Sequence, residues 1–143
     1  MHPPNPSRTV SVVVPCRDEI RYIHPFMRSL LAQELPEGVD LEILIADGMS
    51  TDGTRAVLEA YRAARPRMVV FDNPRGIVSP GLNEAVRRAR GDVVIRLDVH
   101  AEYAPDYLRR CLEVLDETGA DNVGGPARTM AEGYMQHAIA VAY

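Results

Sequence analysis

From Val10 onward, short apolar runs alternate with segments whose apolar residues recur every three or four positions, and few folds satisfy that alternation. An apolar run of four to eight residues bounded by turn residues reads as a strand buried on both faces. The helical segment after each run supplies the crossover that parallel strands require. The expectation is an α/β domain, a mostly parallel sheet flanked by helices. Strands are predicted at residues 10–14, 41–46, 68–71 and 93–97, with a short one at 122–124.

The intervening helices are read from the same pattern. Ile20, Ile23, Met27, Leu30 and Leu31 mark the first, and Ala56, Val57, Ala60, Tyr61 and Ala64 are the expected inward face of the second. Ser79 as cap and Pro80 as first residue open the third, Leu82, Ala85, Val86 and Ala89 are its buried stripe, and Gly91 is its stop. Pro105 opens a fourth helix with Tyr107, Leu108, Cys111, Leu112 and Leu115 on one face, and Met135, Ala138, Ile139 and Ala142 begin a last one. That last pattern is still running at Tyr143 without glycine or proline to end it. The domain, residues 9–143 after a disordered tail at 1–8, is therefore expected to be cut short at its C-terminal end, though a helix that ends with the chain is also physically acceptable.

Composition removes several function classes. With 143 residues the chain fits one domain able to bury roughly two thirds of its unfolded surface. Its net charge of -4 gives no basic footprint for phosphates, and its arginines are spread along helices, so no nucleic-acid partner is expected. Cys16 and Cys111 lie far apart without metal-type spacing, which suits a reducing cytoplasm.

The chemistry-bearing residues fall where the strands end. Gly91 to His100 reads Gly-Asp-Val-Val-Ile-Arg-Leu-Asp-Val-His, an apolar strand running into Asp98 and His100. Residues i and i+2 of a strand point to one side, so an acid and an imidazole can converge there on a divalent cation. Open α/β sheets bind ligands beyond the carboxyl ends of their strands, which points to nucleotide-sugar chemistry. Taken singly, Asp98 reads equally well as a turn-capping carboxylate and His100 as a structural histidine. Asp47, at the end of the second strand, can accept from a base imide or a ribose hydroxyl, or simply serve its turn. Ser50 to Thr54 reads as a cap and turn, and Glu19 complements a helix dipole. Arg17 and Arg75 can face a diphosphate or lie in solvent. After the first strand comes Pro15-Cys16-Arg17-Asp18-Glu19, without the glycines that let a dinucleotide-binding or P-loop backbone approach phosphates. That disfavours an NAD-binding domain and a nucleotidyltransferase, and a metal ion at another strand end is the substitute.

Four segments in order carry a family resemblance: Ser-Val-Val-Val-Pro-Cys-Arg-Asp-Glu at 11–19, Ile-Ala-Asp-Gly-Met-Ser-Thr-Asp-Gly-Thr at 45–54, Gly-Leu-Asn at 81–83, and Val-Ile-Arg-Leu-Asp-Val-His-Ala at 94–101. They resemble the motifs of family 2 glycosyltransferases with the GT-A fold, a Rossmann-like nucleotide-diphospho-sugar transferase fold of which this is the N-terminal part. The last segment is most similar to the succinoglycan-type bacterial polysaccharide glucosyltransferases. The resemblance implies an inverting transfer from a nucleotide-diphospho-sugar, usually a UDP-sugar, to a saccharide or lipid-linked acceptor. It assigns the nucleotide to Pro15, Arg17, Glu19, Asp47, Asn83 and Asp98, and a divalent metal, Mn²⁺ or Mg²⁺, to Asp98 and His100. His100 stands where many members have Asp, and Gly48-Met49 where many read Asp-Gly. The imidazole suits Mn²⁺ better than Mg²⁺. The family's catalytic base lies well downstream of the Asp-x-Asp element, so it is expected beyond Tyr143; the sequence leaves open whether further segments attach the otherwise cytoplasmic protein to the inner face of a membrane. A nucleotide-binding fragment without transfer activity, or an interaction module, is the alternative.

Overall fold

The structure, a computed structural model, describes residues 7–126. The chain divides into two compact units, Met1–Arg110 and Cys111–Tyr143. In the first, β1 (Arg8–Cys16), α1 (Ile23–Leu31), β2 (Val39–Asp47), α2 (Thr54–Ala63), β3 (Met68–Asp72), α3 (Val78–Arg88) and β4 (Val93–Arg96) follow one another, and α4 (Tyr107–Thr118) starts at its end. All strand pairs are parallel, in the order β3-β2-β1-β4. The chain lays β1, β2 and β3 outward in one direction, then returns to the far side of β1 for β4. A crevice opens at such a reversal, between the carboxyl ends of β1 and β4.

Burial follows strand position. β1 is paired on both edges, and Val10, Val12, Val13 and Val14 are all buried, as a strand covered on both faces requires. On one face Val13, Leu44, Ala46 and Phe71 pack with Ala85 of α3, and Leu82 and Ala89 close the cluster. The opposite parity sends Val12, Val14, Ile43 and Ile45 to the other face. Ile23, Phe26, Met27 and Leu30 of α1 and Leu58 of α2 are buried as well. Each such side chain contributes roughly 1.5–3 kcal/mol relative to exposure.

Several expectations need correction. β1 begins at Arg8, whose amide donates to the Gly38 carbonyl (3.1 Å) and which pairs with Val39, so the expected tail at 1–8 loses its last residue to the sheet. Ile20 precedes α1 and is exposed. On α2 the inward residues are Thr54 and Leu58, while Ala56, Ala60 and Ala64 face outward. One buried leucine removes more apolar area from water than several alanine methyls, and that sets the helix's rotation. α3 starts at Val78, a residue before Ser79, because buried Asn73 donates through Nδ2 to the Ile77 carbonyl (2.8 Å) and fixes the entry. Pro80 is then in the first turn, where a missing N–H costs no intrahelical bond. Val86 is half exposed, outside the buried stripe.

Gly91 is not a helix stop, since α3 has ended at Arg88. It passes so close to β1 that a Cβ would lie 2.6 Å from the Ser11 amide nitrogen and 2.8 Å from the Thr9 carbonyl oxygen. In the second unit α4 ends at Thr118, and the expected strand at 122–124 is absent, the segment joining no described sheet. The expected helix from Met135 lies outside the described residues. Among the described residues no helix is long and apolar enough to cross a membrane.

Candidate functional site

Register brings the strand ends level. Cys16 of β1 pairs with Asp47 of β2, which pairs with Asp72 of β3. On the other side Val13 pairs with Arg96, and the Leu97 amide continues the ladder to the Val13 carbonyl (3.1 Å). Two residues past Arg96 comes Asp98, which lines the same cleft as Pro15. A cleft of about 440 Å³ opens here, walled by Pro15, Arg17 and Glu19 on the β1 side and by Asp98, Val99 and His100 on the β4 side. Ala46, Gly48, Asn73 and Gly76 form its floor and far edge.

The loop after β1 is fastened to the loop after β2 by three successive amides. Asp18 N–H donates to Ser50 Oγ (2.9 Å), Glu19 N–H to Thr54 Oγ1 (2.8 Å) and Ile20 N–H to Asp52 Oδ2 (3.0 Å). Thr51 N–H returns a bond to Asp18 Oδ1 (2.7 Å). Asp52 also accepts from the Thr54 hydroxyl (2.6 Å) and amide (3.0 Å), the hydroxyl bond being the main reason its carboxyl lies below the usual range. The segment read as a helix cap therefore also splices two loops. Asp18 and Met49 adopt positive φ, 52° and 63°, a conformation non-glycine residues hold only where surrounding bonds enforce it.

The predicted residues divide. Pro15, Arg17, Glu19, Asp98 and His100 come together on the cleft walls. Arg17 Nη1 donates to the Gly76 carbonyl (3.3 Å), reaching across the cleft. Asp98 is half exposed, accepts from Arg96 (3.0 Å), and has its own amide bonded to the Tyr103 hydroxyl (2.8 Å). His100 is two-thirds exposed, with Nδ1 3.2 Å from Glu19 Oε2, an ion pair when the imidazole is protonated. Burial pushes the Glu19 carboxyl above its ordinary range, and His100 pulls it back down. Cys16 is buried, and burial, reinforced by Asp47 and other nearby acids, pushes its thiol up to about 12.

Asp47 does not line the cleft. Its carboxylate is buried, accepting from the Ser50 hydroxyl (2.5 Å) and amide (3.2 Å) and from Arg55 (3.3 Å). Arg55 also bonds Asp72 (2.5 Å) and Glu59 (3.0 Å). Asn83 is exposed on α3, and Arg75 is exposed; neither lines the cleft. Residues that the sequence reading passed over hold the walls in place: Asn73 and Arg55, and Tyr103, itself held through its backbone by Ser29, while Thr54, read only as part of a cap and turn, anchors Glu19. Asn73 had a visible signal in the turn sequence Asp-Asn-Pro-Arg-Gly at 72–76, whereas Tyr103 had none.

Among the described residues no three His, Cys, Asp or Glu side chains are grouped to hold a metal ion. A cation held on a diphosphate takes only one or two protein donors and the rest from phosphate and water. Asp98 and His100 on one wall fit that kind of site, not a closed protein cage.

Comparison with known proteins agrees with this geometry. Residues 11–133 match the Glycosyl transferase family 2 domain. The succinoglycan biosynthesis protein ExoA of Rhizobium meliloti is 36% identical over 133 residues, 92% of this chain and 40% of that protein. S. aureus TarS (residues 1–349) in complex with UDP-GlcNAc superposes with a TM-score of 0.67 at 25% identity, covering 87% of this chain and 38% of that one. The mannosyltransferase PcManGT from Pyrobaculum calidifontis, in complex with GDP-Man and Mn²⁺, gives 0.69 at 28% identity, covering 78% and 33%. The chain thus spans about 40% of the length of its curated relative. It belongs to glycosyl transferase family 2 and has the GT-A fold.

Proposed function

We propose that this family 2 chain forms the donor half of an inverting glycosyltransferase that holds a UDP-sugar with a divalent cation, for transfer to a saccharide or lipid-linked acceptor. The carrying observation is the cleft between the ends of β1 and β4, walled by Pro15, Arg17 and Glu19 opposite Asp98 and His100 and lacking a glycine-rich phosphate loop. Nucleotide sugars in the complexes of TarS and PcManGT, and Mn²⁺ in the latter, support the reading.

In this reading Asp98 and His100 hold the cation, which offsets charge on the departing diphosphate when bound. His100, an intermediate ligand, favours Mn²⁺ over Mg²⁺. Arg17 faces the diphosphate and Pro15 the base. Asp47 serves the base side indirectly, by holding the turn after β2 through Ser50. Glu19 and Asp98 are the acids on the described walls, and each is engaged, by His100 and by Arg96. By the family resemblance, the group that takes the acceptor's proton is assigned to the part of the relatives this chain does not span, and residues 1–143 alone are expected to bind donor without transferring it.

Calorimetric titration of UDP with and without Mn²⁺ tests the reading. Binding that strengthens at least tenfold with Mn²⁺, and an Asp98→Asn variant that folds normally but loses this gain, are expected. Equal binding with and without metal would refute the cation's role, and rapid sugar transfer by the 143 residues would refute the division of labour.

A further inference from the structure

We propose that Glu19 is a positioning residue for His100, fixing the imidazole tautomer so that Nε2 is the atom offered to the cation; this rests on the cation-bound reading above. His100 is two-thirds exposed, and a histidine so placed is ordinarily free to turn and to carry its proton on either nitrogen. Here two contacts remove that freedom. Nδ1 stands 3.2 Å from Glu19 Oε2, a separation at which the carboxylate favours a proton on that nitrogen, and the ring lies 5.6 Å, centroid to centroid, from the Tyr22 ring. A proton committed to Nδ1 leaves the lone pair on Nε2, the arrangement in which a carboxylate behind a histidine orients it and raises its basicity toward a metal.

The carboxylate is suited to that task because its own position is fixed. Glu19 is only 15% exposed at its side chain. The amides of Asp18, Glu19 and Ile20 are all bonded to side chains of the loop after β2, at 2.8–3.0 Å. Glu19 therefore projects from a backbone anchored at three consecutive points, and a group held by it inherits that rigidity. The resemblance placed Glu19 on the nucleotide; the geometry points instead to an indirect role, through the imidazole.

The two roles separate in a double-mutant cycle on the full 143-residue chain. Mn²⁺ uptake is read in the presence of UDP from the loss of the free-ion paramagnetic resonance signal, and UDP binding without metal is read by calorimetry. Glu19→Ala is expected to weaken Mn²⁺ uptake by about 10- to 100-fold without weakening metal-free UDP binding, because removing an acid from the cleft wall takes no attraction from a diphosphate. A carboxylate has no tautomer to set, so in a His100→Asp background the same Glu19→Ala change should cost little. A wild-type chain that takes up no Mn²⁺ sinks the underlying cation reading. Wild-type uptake that survives Glu19→Ala, an equal loss in both backgrounds, or a fall in metal-free UDP affinity overturns the positioning role alone. The three anchoring bonds use backbone amides and survive the substitution, and thermal unfolding of each variant verifies that the fold is intact.

Discussion

Replacing Thr54 by Val isolates the splice between the two loops, because the side-chain volume is kept and only the hydroxyl is lost. Thr54 is fully buried. Its oxygen accepts from the Glu19 amide (2.8 Å) and its proton goes to Asp52 Oδ1 (2.6 Å). A part-buried amide left without an acceptor costs about 1–3 kcal/mol, so the variant should lose about 2 kcal/mol. For a chain of this length that lowers the melting temperature by roughly 6–8 °C. Thr54→Ser keeps the hydroxyl and removes one buried methyl, which costs about 1 kcal/mol. Urea titration followed by far-ultraviolet circular dichroism measures both. The pH dependence provides an internal check. Thr54 is the main reason Asp52 lies below its ordinary 3.8. An acid depressed in the folded state stabilises the fold above its unfolded pKa, and the contribution disappears as pH falls through the folded value. The gap between wild type and Thr54→Val should therefore narrow as pH falls below about 4. If Thr54→Val costs no more than Thr54→Ser at pH 7, the splice is not what holds Glu19.

Gly91→Ala should destabilise the chain by about 1–3 kcal/mol, because the added carbon meets β1 backbone and not a flexible side chain; an unchanged urea midpoint would contradict the close approach. Cys16, with its thiol pushed up to about 12, should resist iodoacetamide at pH 8.5 in the native protein and react once unfolded. Peptide mapping that finds native labelling at the unfolded rate would show that the residue is not buried.

Local pattern determined the architecture. Strand and helix alternation is written in residues that must be buried wherever the chain goes, so the four strands and the parallel sheet were legible from periodicity alone. Asp98 and His100 both line the cleft, but β4 ends at Arg96 and Val99 lines it too, so the turn beyond the strand places them and not the alternation the sequence suggested. What the sequence could not decide depended on competition between distant groups. The rotation of α2 is set by Leu58 outbidding the alanines, and the fate of Asp47 by Arg55 and Ser50 reaching it first. Gly91 looked like a helix stop until β1 was found beside it. Glu19 and His100 lie on different loops, and only the parallel register of β1 with β4 brings a largely covered carboxylate to one edge of an exposed imidazole. The sequence determined which elements exist and where their chemistry-bearing ends fall; the tertiary structure decided which of those side chains face the cleft, because hydrogen-bond partners and buried area are allotted between segments and not within them.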